Sequence, residues 1–380
     1  MVQKIIRFGI IGAGLMGREF GSAVARWCHL TNMDVAPRLT AVCDTNPAAL
    51  QWFSDNFDLK IATTNYHELL ESPEVDAIYC AVPHNLHEQF YCEIISAGKH
   101  LLGEKPFGID LAANERILAC IAAHPGVFVR CSSEIPFFPG SYQIIKLLRE
   151  GRFGKIIEVE NGFWHSSDLD PQKPINWKRQ IRYNGEYGCL GDLGMHVFHV
   201  PLRMGWMPKN VRALLSKIVT ERPDKSGQMV PCETWDNGIM ACEVETADQH
   251  FPMTLSTKRI APGETNTWMI RVMGTELSAE FTTKYPKTLR LLPYRPGHTQ
   301  AWEVRDLGYE TAYPTITGPI FEFGFSDAIL QMWAAFCDEL VHGPDMRQPF
   351  GCVTPEETHL HHRVLTASLQ SQRNGQVVNL

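Results

Sequence analysis

Short apolar runs alternate with amphipathic stretches through the first third of the chain. The runs at 5–11, 39–43, 77–82, 100–102 and 127–131 end at glycine, Asp44, Pro83, Gly103 and Cys131 in turn. Between them, residues 18–27, 48–56 and 86–97 repeat apolar positions at helical spacing. Strands alternating with helices of this length predict parallel βαβ units. A parallel sheet needs helices on both faces, so the expectation is a doubly wound α/β (Rossmann) domain over residues 1–131.

The pattern changes after Cys131. A helix is expected at 141–149, closed by Gly151. Long alternating segments follow at 155–163, 211–219, 238–244, 253–258, 267–274 and 277–282, with few helices between them. They predict an open, mostly antiparallel sheet in a second domain, 132–380, for substrate binding and oligomerisation. Helical patterns return at 327–342 and 354–372, the latter opening on Thr-Pro-Glu-Glu, and this last helix is expected to pack back on the first domain.

Composition narrows the function. A chain of 380 residues is too long for one ordinary core, and 44% hydrophobic with 20% charged residues describes a globular protein. A net charge of -7 argues against nucleic acid or an anionic membrane as partner. The eleven cysteines contain no C-x-x-C pair and read as reduced thiols. The first strand starts without signal-peptide anatomy and no apolar run is long enough for a membrane span, so a cytoplasmic setting is expected.

Two constellations carry chemistry. Gly12-Ala13-Gly14-Leu15-Met16-Gly17 is a G-x-G-x-x-G turn placed between the first strand and a helix. Glycines there allow a tight turn and close approach of a pyrophosphate, which the helix N-terminus then binds. Asp44 ends the next strand, where a carboxylate accepts hydrogen bonds from an adenosine ribose. Thr45, Asn46 and Pro47 follow it without a basic residue, and Arg38 is expected ahead of the strand, so NAD is expected over NADP. The second constellation is split. Gly103-Glu104-Lys105-Pro106 follows the fourth strand, and Asp192 stands four residues before His196, which on a helix puts both on one face.

Together these residues resemble the glucose–fructose oxidoreductase / inositol dehydrogenase / MocA family. The resemblance extends to Ala-Val-Pro-His-Asn-Leu-His at 81–87, Gly-Lys-His at 98–100, Gly-Arg-Phe-Gly-Lys-Ile from Gly151 and Gly-Thr-Glu at 274–276. It implies a dinucleotide-binding domain followed by an α/β domain with an open sheet. It also implies His196 as general acid/base, Lys105 as hydrogen-bond donor to the reacting oxygen, and Asp192 orienting substrate hydroxyls or the imidazole. Pro83, His87, Glu104 and Lys105 then join Gly12, Gly14, Leu15, Met16, Gly17 and Asp44 on the cofactor side. This chain departs from the family pattern at His199, where many members carry Asp, and at Cys131-Ser132-Ser133-Glu134-Ile135-Pro136-Phe137, where many carry an arginine.

Trp164, Trp177, Lys178 and His199 are candidate substrate contacts, since tryptophan faces stack on sugar rings and a lysine binds hydroxyl or anionic groups. The histidines match no zinc spacing, and no metal site is expected. His359, His361 and His362 are expected on the exposed side of the last helix. The function that follows is an NAD(P)-dependent oxidoreductase acting on a sugar or polyol. The alternatives are a glycosidase that oxidises its sugar transiently with NAD, and a cofactor-sensing regulatory protein on the same fold. A one-sided antiparallel sheet leaves a face to cover, so a homodimer or homotetramer is expected.

Overall fold

The computed structural model describes residues 3–380, apart from Tyr309, Glu322 and Pro349. Six parallel strands form the first sheet: β1 (Lys4–Ile11), β2 (Val35–Cys43), β3 (Ile61–Thr63), β4 (Ala77–Cys80), β5 (His100–Gly103) and β6 (Val129–Cys131). Their order is β3-β2-β1-β4-β5-β6, a doubly wound α/β arrangement. The five expected strands are present. β3 leaves no apolar run in the sequence because it is three residues long and carries no fully buried position. β2 begins at Val35, earlier than the pattern suggests, and contains Pro37 and Arg38. Pro37 is tolerated because β3 pairs with β2 only over Ala41–Cys43, so the outer edge at Pro37 has no ladder partner to lose.

The helices of this sheet are α1 (Leu15–Ala25), α2 (Pro47–Asn56), α3 (His67–Glu71), α4 (His87–Ser96) and α5 (Leu111–Ala123). Asn46 caps α2 by accepting from Ala48 N at 3.1 Å, with Pro47 in the first turn. α6 (Pro139–Arg149), α7 (Ile181–Asn184), α8 (Cys189–Arg203), α9 (Phe325–His342) and α10 (Pro355–Asn374) follow.

The chain divides into two units that are not contiguous in sequence. The first comprises 1–108, 112–137 and 311–355, the second 109–111, 138–310 and 356–380. This corrects the expectation for the C-terminal third. α9, not the last helix, packs on the first sheet's layer: Trp333 lies against Phe20 at 3.8 Å, the rings tilted by 39°, and meets Phe8 and Tyr79 edge-on at 5.3 and 5.2 Å. Each such buried aromatic contributes roughly 2–3 kcal/mol of apolar burial. α10 belongs to the second unit, where Ser371 Oγ accepts from Ala213 N at 3.0 Å and Gln372 Oε1 from Leu215 N at 2.8 Å.

The second sheet contains β7 (Ile156–Trp164), β8 (Pro208–Ser216), β11 (Asn237–Glu245), β12 (His250–Lys258), β13 (Thr267–Gly274), β14 (Leu277–Thr282), β15 (Thr288–Pro293), β16 (Glu303–Asp306) and β17 (Val378–Asn379). β9 (Glu221–Pro223) and β10 (Met229–Pro231) make a separate ribbon. The order is β16-β15-β14-β13-β7-β12-β11-β8-β17, antiparallel except where β7 meets β12. Alternation along each strand separates two faces. Val159, Asn161 and Phe163 of β7 are buried on the side of α8. The other side carries a charged row across four strands, Glu160–Arg271–Glu280–Arg290, with Arg271 at 3.1 Å and Arg290 at 2.8 Å from Glu280. Leu214 and Ile239 are 59% and 43% exposed there, paired opposite one another on β8 and β11.

Candidate functional site

Each glycine of the first turn answers a different steric demand. Gly12 has φ of 102°, and a Cβ there would collide with the carbonyl oxygen of Ala81 on the neighbouring chain segment. A Cβ on Gly17 would strike the carbonyl oxygen of Gly12. Gly14 faces open space: nothing lies within 4 Å of a Cβ built there. Gly14 is also the N-cap of α1 and offers no side chain to its first N–H groups, while Leu15 at the helix start is 75% exposed and Met16 half-buried. The strand end, the uncapped helix N-terminus and the open space fit a pyrophosphate.

Asp44 closes this turn from β2. Its Oδ2 accepts from Ala13 N at 2.8 Å and its Oδ1 from Asn46 N at 2.8 Å. The carboxylate therefore fixes the glycine loop and still has lone pairs to offer ribose hydroxyls. Arg38 lies within β2 rather than ahead of it, opposite Arg7 and far from the strand's C-terminal end. Arg18 stacks over the Trp52 ring at 5.6 Å.

Pro83 opens the short turn that leads into α4. His87 is buried, and its ring braces backbone. Nδ1 accepts from Gly108 N at 3.3 Å, so the proton sits on Nε2, which donates to the Val82 carbonyl at 3.1 Å. This clasp ties the end of β4 to the segment that carries Lys105. Glu104 is buried; Tyr79 Oη donates to its Oε1 at 2.6 Å, and Tyr91 Oη to its carbonyl at 2.7 Å. Lys105, half-buried, precedes Pro106 through a cis peptide bond. Glu134, which no sequence motif singles out, sits in this group. Burial pushes its carboxyl up to about 7, the nearby Glu104 adds to the rise, and Lys105 opposes it.

In the second unit, Asp192 and His196 lie one turn apart on α8. The helix forms despite Gly191 and Gly194, each costing roughly 1 kcal/mol relative to Ala. The glycines admit close neighbours: Tyr187 sits over Gly191, and His361 Nε2 would be 3.2 Å from a Cβ on Gly194. Pro201 removes the N–H that would bond the Val197 carbonyl, and Asn161 Nδ2 supplies a donor at 2.8 Å instead. Trp268 Nε1 donates to the His196 carbonyl at 2.8 Å. β7 and β13 thus hold the backbone of α8 at the histidine. The buried His196 ring meets Phe163 edge-on at 5.2 Å. Asp192 is 1% exposed, bonded by Lys178 Nζ at 3.2 Å to each oxygen and paired with Arg259.

Residues 6–130 match the model of the oxidoreductase family with an NAD-binding Rossmann fold, and residues 142–280 match the GFO/IDH/MocA C-terminal domain. The chain belongs to the GFO/IDH/MocA family. Among its relatives, levoglucosan dehydrogenase of Pseudarthrobacter phenanthrenivorans is 23% identical over 58% of this chain and 57% of its own length. Mouse trans-1,2-dihydrobenzene-1,2-diol dehydrogenase is 30% identical over 50% of this chain and 54% of its own. The aligned part thus spans little more than half of these relatives. Solved structures share the whole fold. A levoglucosan dehydrogenase in complex with NADH has a TM-score of 0.87 at 20% identity, covering 99% of both chains. An inositol dehydrogenase homologue from Azotobacter vinelandii, complexed with NAD+, has a TM-score of 0.81 at 20% identity, covering 100% and 98%. The first unit is therefore an NAD-binding Rossmann domain.

Within this GFO/IDH/MocA chain, the other expected contacts separate. Trp177 and Lys178 lie on the 3₁₀ turn Trp177–Arg179, where Asn176 caps Lys178 N at 2.9 Å; Lys178 bonds Asp192 and sits over the Trp177 ring at 5.6 Å. Trp164 does not join them. Its indole lies over Gly162, bonds Ser256 at 2.8 Å and carries Lys258 above its ring at 5.1 Å, on the sheet face opposite Phe163 and His196. With Leu214, Ile239 and Glu264 it lines an open recess of about 550 Å³ on that far face. His199 is buried with Nε2 lacking a hydrogen-bond partner among the described residues. Burial drives its pKa well below 6.5, and Arg203, His196 and His361 act in the same direction, so it is a neutral interior imidazole. His361 and His362 are also buried, against Phe198 and Tyr187, which corrects their expected exposure. Arg259 has no motif to announce it: its signal is an arginine directly after an alternating strand, which says nothing about a partner 67 positions earlier.

Proposed function

We propose that this protein is an NAD-dependent dehydrogenase of a sugar or polyol. The observation that supports this most directly is the buried Asp192, held between two cations one turn before His196 on a helix whose backbone is anchored from β7 and β13. A secondary alcohol loses a hydride from carbon and a proton from oxygen, leaving a ketone. NAD, when bound, accepts the hydride. The protein's share is to hold the alcohol and take the proton. His196 accepts it, because an imidazole exchanges protons near neutral pH. Lys105 donates a hydrogen bond to the oxygen as negative charge develops. Asp192 accepts from a neighbouring substrate hydroxyl, and Trp177 offers an apolar face. Relatives named for levoglucosan, inositol and a dihydrobenzene diol act on polyhydroxylated rings, which supports the same substrate class here. The test is NADH formation over a panel of polyols, aldoses, glycosides and sugar acids. Stoichiometric steady-state NADH from a polyol or aldose is expected. Glycoside cleavage without net NADH would replace this function with transient oxidation.

The far face of the second sheet supports self-association. Exposed Leu214 and Ile239, beside the Glu160–Arg271–Glu280–Arg290 row, offer apolar and charged positions that a two-fold copy complements. Sedimentation at micromolar concentration is expected to show a dimer or tetramer, and Ile239→Arg to shift it toward monomer. A monomeric wild type removes this proposal.

A further inference from the structure

The two cations on Asp192 are not equivalent. Lys178 is 32% exposed in its side chain, whereas Arg259 is almost fully buried. Arg259 also ends a row of buried charges that no part of the catalytic assignment uses. Arg179 pairs with Asp236, both wholly buried, and reaches Asp168 at 3.5 Å. The Asp168 N–H donates to the Arg259 carbonyl at 3.3 Å, the Arg259 N–H donates to the Asp236 carbonyl at 2.9 Å, and Asn237 Oδ1 accepts from both Arg259 N and Ile260 N at 3.1 Å. The main chain of Arg259 is thus clamped on both sides, and its guanidinium projects onto Asp192. Burial lowers the Arg259 pKa and Asp168 raises it, and a guanidinium stays charged under either influence.

A buried carboxylate with one half-exposed lysine would be a partly uncompensated anion one turn from His196. With Arg259 in place it is compensated. The acidic groups on neighbouring elements are engaged or turned elsewhere. Glu158 and Glu160 alternate to the far face of β7, Glu356 of α10 is exposed, and Glu357 pairs with Arg203 at 3.3 Å. Other titratable groups nearby among the described residues include Cys189, His199 and Arg203 on α8, His361 and His362 on α10, and His165, which packs on Phe163 at 5.0 Å.

We infer that Arg259 is a positioning residue for the reaction: it fixes the Asp192 carboxylate and cancels its charge, so that the imidazole of His196 stays a base at neutral pH. The inference rests on His196 being the acid/base. Loss of Arg259 removes one of the two cations on Asp192, favours the imidazolium, and moves the protonation of His196 upward.

The experiment is the pH profile of kcat/KM for alcohol oxidation at saturating NAD, with NADH affinity and thermal midpoint measured alongside. For Arg259→Gln, the acid limb is expected to move up by about 0.5–1 pH unit, the effect of one charge a turn away in a partly screened site. The fall of about two- to fivefold at pH 7 is expected in kcat more than KM, with NADH affinity unchanged. Arg259→Lys keeps the charge and restores the limb. Asp192→Asn alone leaves the Arg259 cation uncancelled and is expected to move the limb down, and adding Arg259→Gln to move it back toward wild type. If Arg259→Gln loses rate while its acid limb stays at the wild-type pH, Arg259 is merely structural and the inference fails. Should that variant not fold, Asp192→Asn with Arg259→Met removes both charges together. Its limb must return to the wild-type position, and a limb that stays with that of Asp192→Asn overturns the inference. His196→Ala separates the two levels. If it stays active, the acid/base assignment itself is wrong; if it is inactive while Arg259→Gln leaves the limb in place, only the role of Arg259 falls.

Discussion

Replacing His196 with alanine is expected to slow turnover by about 10²–10⁴-fold while NADH affinity changes by less than about twofold. The glycine turn and Asp44, which are proposed to hold the dinucleotide, are left intact by the substitution. The helix should survive, since β7 and β13 grip α8 through backbone carbonyls rather than through the imidazole. What is lost is the proton acceptor, and with it the edge-on contact to Phe163. Stopped-flow hydride transfer and NADH fluorescence titration check the two halves of the expectation separately. Wild-type turnover in the variant across the pH range would remove His196 from the chemistry.

Asp44→Ala is expected to weaken NAD binding by about 10–100-fold and to erase a preference for NAD over NADP. Two losses combine. The carboxylate can no longer receive ribose hydroxyls, and Ala13 N and Asn46 N lose their shared acceptor, which loosens the glycine loop. A 2′-phosphate placed beside the wild-type carboxylate would meet a like charge. Arg18 is engaged on Trp52, and Arg38 sits far from the strand end, so neither offsets it. Calorimetric titration of both cofactors into wild type and variant decides the matter. Equal or tighter NADP binding by the wild type would refute the preference, and unchanged discrimination in the variant would assign it to another residue.

Much of the cofactor turn and of the helix bearing Asp192 and His196 is legible in the amino-acid sequence, because both depend on local geometry. A glycine required by a left-handed φ, as at Gly12, or by a carbonyl pressed against it, as at Gly17, leaves its mark at a fixed spacing. So does a pair of residues four apart on a helix. The rest depends on which side of an element a residue faces and on partners far along the chain. Phe163 and Trp164 are neighbours in sequence and suggest one aromatic pocket, yet adjacent strand residues point to opposite faces, and only Phe163 reaches His196. The period-two burial of Val159, Asn161 and Phe163 is the signal that separates them. Arg259 and Glu134 have no local signature at all. Each acquires its role from residues that only folding brings near, and the same is true of Trp333 beneath the first sheet.

That tryptophan has a consequence for how the protein is made. The core beneath β1 is lined by Phe8, Phe20 and Tyr79, all synthesised within the first quarter of the chain, but the ring that fills it arrives at residue 333. A ribosome adding about 5–20 residues per second leaves that apolar surface waiting for about 13–50 seconds. The nucleotide-binding half therefore cannot finish first, as an N-terminal domain ordinarily would. A nascent chain stopped anywhere before α9 carries an open aromatic pocket, a natural substrate for chaperones that hold emerging polypeptides.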